Sequence, residues 1–287
     1  MRLSTARGLT EAPLNHPRNI LRFLRLLVSH PVEFCDRTEI ILQARRQRRL
    51  FRKGRVTTYP ERTPFADVLQ KWSAALGRDL VSILNEPDLQ NVQSHVAKQT
   101  AALKNLGDLP FPVTYNADPT LSQLVYLFCR VLEPETVLQT GVAYGVNSAM
   151  ILAALYRNGK GTLHDVDLPP IADRASRRYI GTMIPAEYKS RWCLHLGASK
   201  RVLPSLFTRG IGQVGVFIHD SAGLHRVQKW ELETVWPHLA PRSALILNNI
   251  GKRAAFKDFV HEKNLNCWAA IEQREKKGDL TGVALTF

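Results

Sequence analysis

The stretch from about residue 118 to the end repeats one unit, a short apolar run followed by an amphipathic segment. Apolar runs at Thr136–Thr140, Thr162–Val166, Trp192–Leu196, Val214–His219 and Ala244–Leu247 read as buried strands. Helical patterns at Leu121–Leu132, Gly145–Tyr156, Asp173–Met183, Ser199–Phe207, Arg226–His238 and Arg253–Glu262 flank and separate them. Strands and helices alternating at this spacing build βαβ units around a parallel sheet. Then the pattern breaks. Asn266–Gln273 and Thr281–Phe287 are both strand-like, and only the turn Lys276-Lys277-Gly278-Asp279 divides them. No helix fits in that gap, so the later strand must return antiparallel as a hairpin.

The preceding third of the chain has a different texture. Ile20, Leu21, Phe23, Leu24 and Leu27 form an apolar helical stripe punctuated by Arg18, Arg22 and Arg25. Residues 44–55 (ARRQRRLFRKGR) carry seven basic side chains, which read as a solvated helix face, or as a phosphate-binding or membrane-surface segment or a guide for an anionic acceptor. Residues 64–106 look helical, with a fresh start at Asn85-Glu86-Pro87-Asp88. Three prolines and a glycine in 106–120 (LGDLPFPVTYNADPT) mark a linker or rigid loop. We therefore expect a helical N-terminal region over 1–115, serving as lid or oligomerisation element. An α/β domain with a seven-stranded Rossmann-like sheet, its last strand antiparallel, is expected over 116–287.

Composition narrows the partners. No run approaches the ~18 apolar residues of a membrane span, and Met1–Asn15 lacks the apolar core of a secretory signal. The four cysteines, at 35, 129, 193 and 267, form neither a CxxC pair nor a zinc-finger pattern. Free thiols in a reducing cytoplasm are the reading. The net charge is +14, and residues 1–60 alone hold 13 basic and 4 acidic side chains. That excess favours anionic partners without naming one. Sparse aromatic interleaving argues against a nucleic-acid reader.

Chemistry concentrates after the first two strands. Strand one runs into Gln139-Thr-Gly141-Val-Ala143-Tyr-Gly145-Val-Asn147-Ser148, a glycine-rich turn that lets backbone approach a ligand at a helix N-terminus. The strict GxGxxG is absent. Strand two ends in Asp165-Val-Asp167, at the spacing where a carboxylate accepts hydrogen bonds from ribose hydroxyls. We expect the two aspartates to point to opposite sides, with Asp167, nearer the ligand edge, facing the crevice. His219 is expected to point away from the pocket in a buried structural role. His225, in the loop after Asp220, is either a surface histidine or a base.

These segments resemble a class I S-adenosylmethionine (SAM)-dependent methyltransferase of the small-molecule type, methyltransferase domain 24, related to macrocin O-methyltransferases. The resemblance rests on NADPTLSQLVY (116–126), ETVLQTGVAYGVNSAMILAAL (135–155), LHDVDLPP (163–170), RWCLHLGASKRVLPSLF (191–207), and FIHDS with WELETVWPHLAPRSALILNNI (217–250). An antiparallel seventh strand is also a feature of that class. The resemblance implies SAM as donor and S-adenosylhomocysteine (SAH) as product. It implies that Gly141, Ala143 and Gly145 form the turn under the methionine, with Asn147 and Ser148 opening the helix beside it. Asp167 would hold the ribose, Gly197, Ala198 and Ser199 would flank the adenine, and Asp220 would face the methyl-donor site.

Several positions depart from the family pattern. Gln139 stands where an acidic residue usually pairs with the methionine ammonium, and Ala143 replaces a glycine. Ala198 replaces an adenine-contacting carboxylate, Gly223 a histidine, and Asn248-Asn249 an Asp-Asp pair. A divalent cation wants carboxylate oxygens, so no metal is expected. The reading is a metal-independent methyltransferase acting on a small biosynthetic or secondary metabolite, with Asp220, His225 and Asn249 as catalytic candidates. The alternative is a catalytically degenerate relative that serves as a binding partner or scaffold. A homodimer contact or pocket lid through the N-terminal helices is expected; nucleic acid and membrane are not.

Overall fold

A computed structural model describes residues 17–52, 59, 62–105, 109, 112, 116–168, 174–251, 253–276 and 278–286. Most of the expected linker (106–115), the end of the basic run (53–55) and Asp173 lie outside the described residues. Among the described residues six helices precede the first strand: α1 (Pro17–Ser29), α2 (Pro31–Arg52), α3 (Phe65–Leu76), α4 (Leu80–Leu84), α5 (Pro87–Lys104) and α6 (Pro119–Leu132). There follow β1 (Thr136–Thr140), α7 (Val146–Asn158), β2 (Thr162–Asp167), β3 (Trp192–Leu196), α8 (Ser199–Thr208) and β4 (Val214–His219). The chain continues through α9 (His225–Val235), β5 (Leu239–Leu247), α10 (Ala255–Glu262), β6 (Cys267–Glu272) and β7 (Leu280–Thr286).

The seven strands form one sheet in the order β3-β2-β1-β4-β5-β7-β6. β7 runs antiparallel to both β5 and β6, while the β3-β2-β1-β4-β5 pairs are parallel. This is the expected Rossmann-like architecture. The hairpin does more than add an edge, because β7 inserts between β5 and β6.

Two apolar layers cover the sheet. On one face Val137, Leu163, Val216, Ile218 and Ile246 pack with Val125, Phe128, Ile151 and Leu155 of α6 and α7. The same cluster takes in Trp72, Leu80, Leu89, Val92 and Leu103 of α3–α5. On the other face Leu138, Phe217, Leu245 and Ala284 pack with Leu203, Leu232, Phe256 and Phe259 of α8–α10. Helices α3–α5 thus share a core with the sheet, and packing crosses the boundary expected at residue 115.

Two local expectations need correction. The helix expected over 173–183 is a 3-10 turn at Arg174–Tyr179 followed by further turns. Gly181 ends it at φ +72°, pressed so close to the Trp192 ring that a Cβ would lie 2.5 Å from it. The helix expected through His238 stops at Val235, and Pro237 lies in a separate 3-10 turn.

Candidate donor and acceptor site

The strand order reverses between β1 and β4, the place where open α/β sheets bind ligands at their C-terminal edge. The two strand ends are in tight contact there. Gly141 has φ +86°, and a Cβ on it would lie 2.4 Å from the Asp220 carbonyl oxygen. Only glycine fits that turn. Gly145, at φ +84°, caps α7 and lies against Gly181, so it too admits no side chain. Ala143 sits between them at φ +48°, a left-handed conformation unusual for alanine.

Asp167 closes this turn. Its Oδ2 accepts the Ala143 backbone N–H at 3.0 Å. Burial raises its carboxyl pKa to about 6, although the backbone N–H donors and the nearby Arg37 guanidinium oppose the rise. Arg37 belongs to α2 and is bound to Glu33 at 2.6 Å. So α2 lies over the Asp167 end of the crevice. Its flanks are fixed by Asp36 to Arg201 at 2.7 Å and by the Gln47 side-chain oxygen, which accepts the His225 N–H at 2.9 Å.

Beside Asp167 opens a cavity of about 550 Å³. Leu168, Leu196, Gly197, Ala198 and Val202 line it from the sheet and α8, and His30, Pro31 and Val32 from the α1–α2 corner. Gly197 and Ala198, which the resemblance assigns to the adenine, both line this cavity. Ser199 does not line this cavity.

Asp165 corrects another expectation. Residues two apart on a strand share a face, and both aspartates turn toward α7 and the loop that leads into it. Asp165 is fully buried, accepting Ser148 Oγ at 2.6 Å and Trp192 Nε1 at 2.7 Å. Burial lifts its pKa to about 7. Gln139 donates to the same Ser148 hydroxyl at 3.0 Å. Gln139 and Ser148 therefore belong to a network under the crevice, with exposures of 1% and 0%.

At the other end, Asp220 accepts from two amides: Asn147 Nδ2 at 2.9 Å and Asn248 Nδ2 at 2.5 Å. Burial raises its pKa, against the pull of Asn248 and Lys276. Asn249 has φ +58°, and its N–H donates to Asn248 Oδ1 at 2.9 Å. Its own Oδ1 is buried without a donor among the described residues. His225 is not tied to this group. Its ring lies near Asp258 and Lys229, and burial lowers its pKa.

Sequence reasoning missed three residues. Glu231, from the WELE segment, is fully buried and receives His219 Nδ1 and Thr140 Oγ1, each at 2.7 Å. Burial alone would raise its pKa, but His219 and the hydroxyl donors bring it below the ordinary value. His219 is thus buried and turned from the crevice, as expected. Asp118 accepts the N–H groups of Thr120, Arg274, Glu275 and Lys276 at 2.8–3.2 Å, anchoring the β6–β7 turn beside the site. Arg253 bonds the Asn249 carbonyl and packs against Gly223, where a Cβ would meet its guanidinium at 3.2 Å. A short polar side chain in a loop signals neither anchor nor contact until the fold closes.

Residues 138–250 match the family model for a methyltransferase domain, Methyltransf_24. The match runs from β1 to the residues just after β5. Among solved structures, the domain is similar to an O-methyltransferase from Bacillus cereus in complex with SAH, at 13% identity and a TM-score of 0.52. That likeness covers 76% of this chain and 100% of the other. A candidate O-methyltransferase from Klebsiella pneumoniae is similar at 15% identity and a TM-score of 0.50, covering 76% and 98%. At such identities the likeness establishes the methyltransferase fold. No curated protein matches the chain.

Proposed function

We propose that this chain is a SAM-dependent methyltransferase acting on a small molecule without help from a metal. The observation that carries the reading is the placement of Asp167. Its carboxylate ends β2 at the crevice and braces the left-handed Ala143 turn, and the next residue, Leu168, lines a cavity large enough for a nucleoside. The residues fit SAM: Asp167 for the ribose hydroxyls, Leu196, Gly197 and Ala198 for the adenine, and the Gly141–Gly145 turn for the methionine. When bound, SAM supplies a methyl group activated on a sulfonium.

The chain's own contribution is alignment and exclusion of water. Asp220 and Asn249 face the donor end, and Asn147 and Asn248 fix the Asp220 carboxylate. These amides direct N–H groups at Asp220, so its two oxygens are already engaged as acceptors. A hard cation wants converging lone pairs there, and the donor set supports metal-independent transfer. With Asp220 so engaged, a weakly acidic alcohol lacks an obvious base. An amine, an acidic phenol or a stabilised carbanion suits the site better.

The Gln139 replacement favours a second reading, a scaffold that has lost tight donor binding. Titration calorimetry with SAM and SAH separates the two. Micromolar binding, followed by methyl transfer to a panel of amines and phenols detected by mass, supports the enzyme. Absence of any binding overturns it in favour of the scaffold.

A further inference from the structure

Helix α1 presents an apolar face that nothing described in this chain covers. Leu21 is 60% exposed, Leu24 52%, Leu27 51% and Val28 87%. A helix packed on its own domain buries its apolar stripe. Here only Phe23 and Leu26 turn inward, Phe23 against Phe34 of α2 with ring centroids 4.7 Å apart.

A cation borders this face: at 100° per residue the exposed Arg25 falls about 40° from Leu21 and about 60° from Val28 around the helix. The helix contains no acidic residue. Helix α2 extends the character, with Arg45, Arg46 and Arg49 exposed beside exposed Leu42 and Leu50. The three acids of the hairpin are engaged elsewhere: Glu33 with Arg37, Asp36 with Arg201 and Lys200, Glu39 with Lys200. The outer surface of α1–α2 is left apolar and cationic.

We propose that the α1–α2 hairpin is a membrane-surface anchor, laying Leu21, Leu24, Leu27 and Val28 into the interface of a bilayer that carries anionic lipids. An aliphatic face flanked by arginine is the chemistry of an interfacial helix, and each arginine gains from anionic headgroups. A second copy of the chain is a poorer occupant. A two-fold contact on this face brings a second Arg25 to the same seam, and α1 has no carboxylate to meet it. No helix among the described residues is long and apolar enough to cross a membrane, so the contact is peripheral. Because Asp36 and Gln47 hold α2 across the edge of the sheet, an anchored hairpin sets the crevice beside the lipid surface.

The test is co-sedimentation of the full chain with phosphatidylcholine vesicles, with and without phosphatidylserine. Binding is expected with phosphatidylserine, weaker without it, and reduced by added salt. The double variant Leu24→Gln, Leu27→Gln should bind roughly tenfold or more weakly, with unchanged melting and SAH titration because both side chains are exposed. Arg25→Glu should weaken binding to the anionic vesicles alone. Failure to bind anionic vesicles, or equal binding by wild type and double variant, overturns the proposal. So does a solution dimer that the double variant dissociates, which assigns the face to a second copy.

Discussion

Gln139 and Asp165 stand opposite each other across the β1–β2 pair, and each keeps one side-chain oxygen without a hydrogen-bond donor among the described residues. A proton on Asp165 would give this pair a donor. Burial already raises that carboxyl to about 7. A raised carboxyl pKa contributes stability that is complete below the unfolded value of about 4 and is lost as pH rises through about 7. Asp165→Asn, which keeps a donor at every pH, should therefore be more stable than wild type at pH 8, by roughly 1–3 kcal/mol. The difference should vanish near pH 4. Urea titrations at the two pH values check this, and a variant less stable at both would refute the charge argument.

Asp167→Ala should weaken SAH binding more than Asp165→Ala does. The first removes a carboxylate at the ligand edge, the second one beneath it. Loss of charge-assisted hydrogen bonds to a diol costs roughly 1.5–3 kcal/mol, or about ten- to a hundredfold. Binding by wild type should also fall as pH drops below about 6, where Asp167 takes up a proton. Calorimetry across pH 5–8 reads both effects, and equal losses in the two variants would sink the ribose assignment.

Methyl transfer should survive EDTA and gain nothing from added Mg²⁺. The amide donors on Asp220 are the reason. A tenfold drop in turnover on chelation, restored by Mg²⁺, would contradict the metal-free reading.

Removing Asp118 should loosen the β6–β7 turn. Its carboxylate holds four backbone N–H groups, and these bring its pKa below the ordinary value despite burial. Asp118→Ala should cost about 2–4 kcal/mol. A depressed carboxyl pKa contributes stability above the unfolded value that is lost in acid. The gap between variant and wild type should therefore close as pH falls below about 4. Acid titrations monitored by circular dichroism compare them.

Two truncations separate helices that belong to the core from those that do not. A chain starting at Pro64 keeps Trp72, Leu80 and Leu89, so it should stay soluble and unfold cooperatively. It loses Tyr59, which bonds the Arg253 carbonyl and the Lys257 N–H, and should melt a few degrees lower. A chain starting at residue 105 exposes the sheet face that α3–α5 cover and should aggregate or become molten. Similar melting of both would show that α3–α5 are dispensable.

The sheet was legible because every strand between 136 and 219 is a short apolar run with a punctuated end. Thr136–Thr140, Trp192–Leu196 and Val214–His219 agree with the fold residue for residue. The helix at 173–183 misled because its periodicity is helical while Gly181 must adopt φ +72° against Trp192, a tertiary demand. In the site, Gly141 and Asp167 could be placed because turn chemistry and position on a strand are local. Glu231 and Arg253 could not, because their partners lie on other elements.

The place of β7 inside the sheet has a consequence for how the chain is made. Residues 267–272 leave the ribosome before the strand they must pair with, and β5 keeps an open edge until 280–286 emerge. Until then the nascent chain holds one unpaired strand and one open sheet edge, which invite pairing with other chains. A stop codon placed after residue 279 would therefore leave a protein that cannot close its sheet. Such a product would be drawn to chaperones rather than persist as a folded domain shorter by one strand.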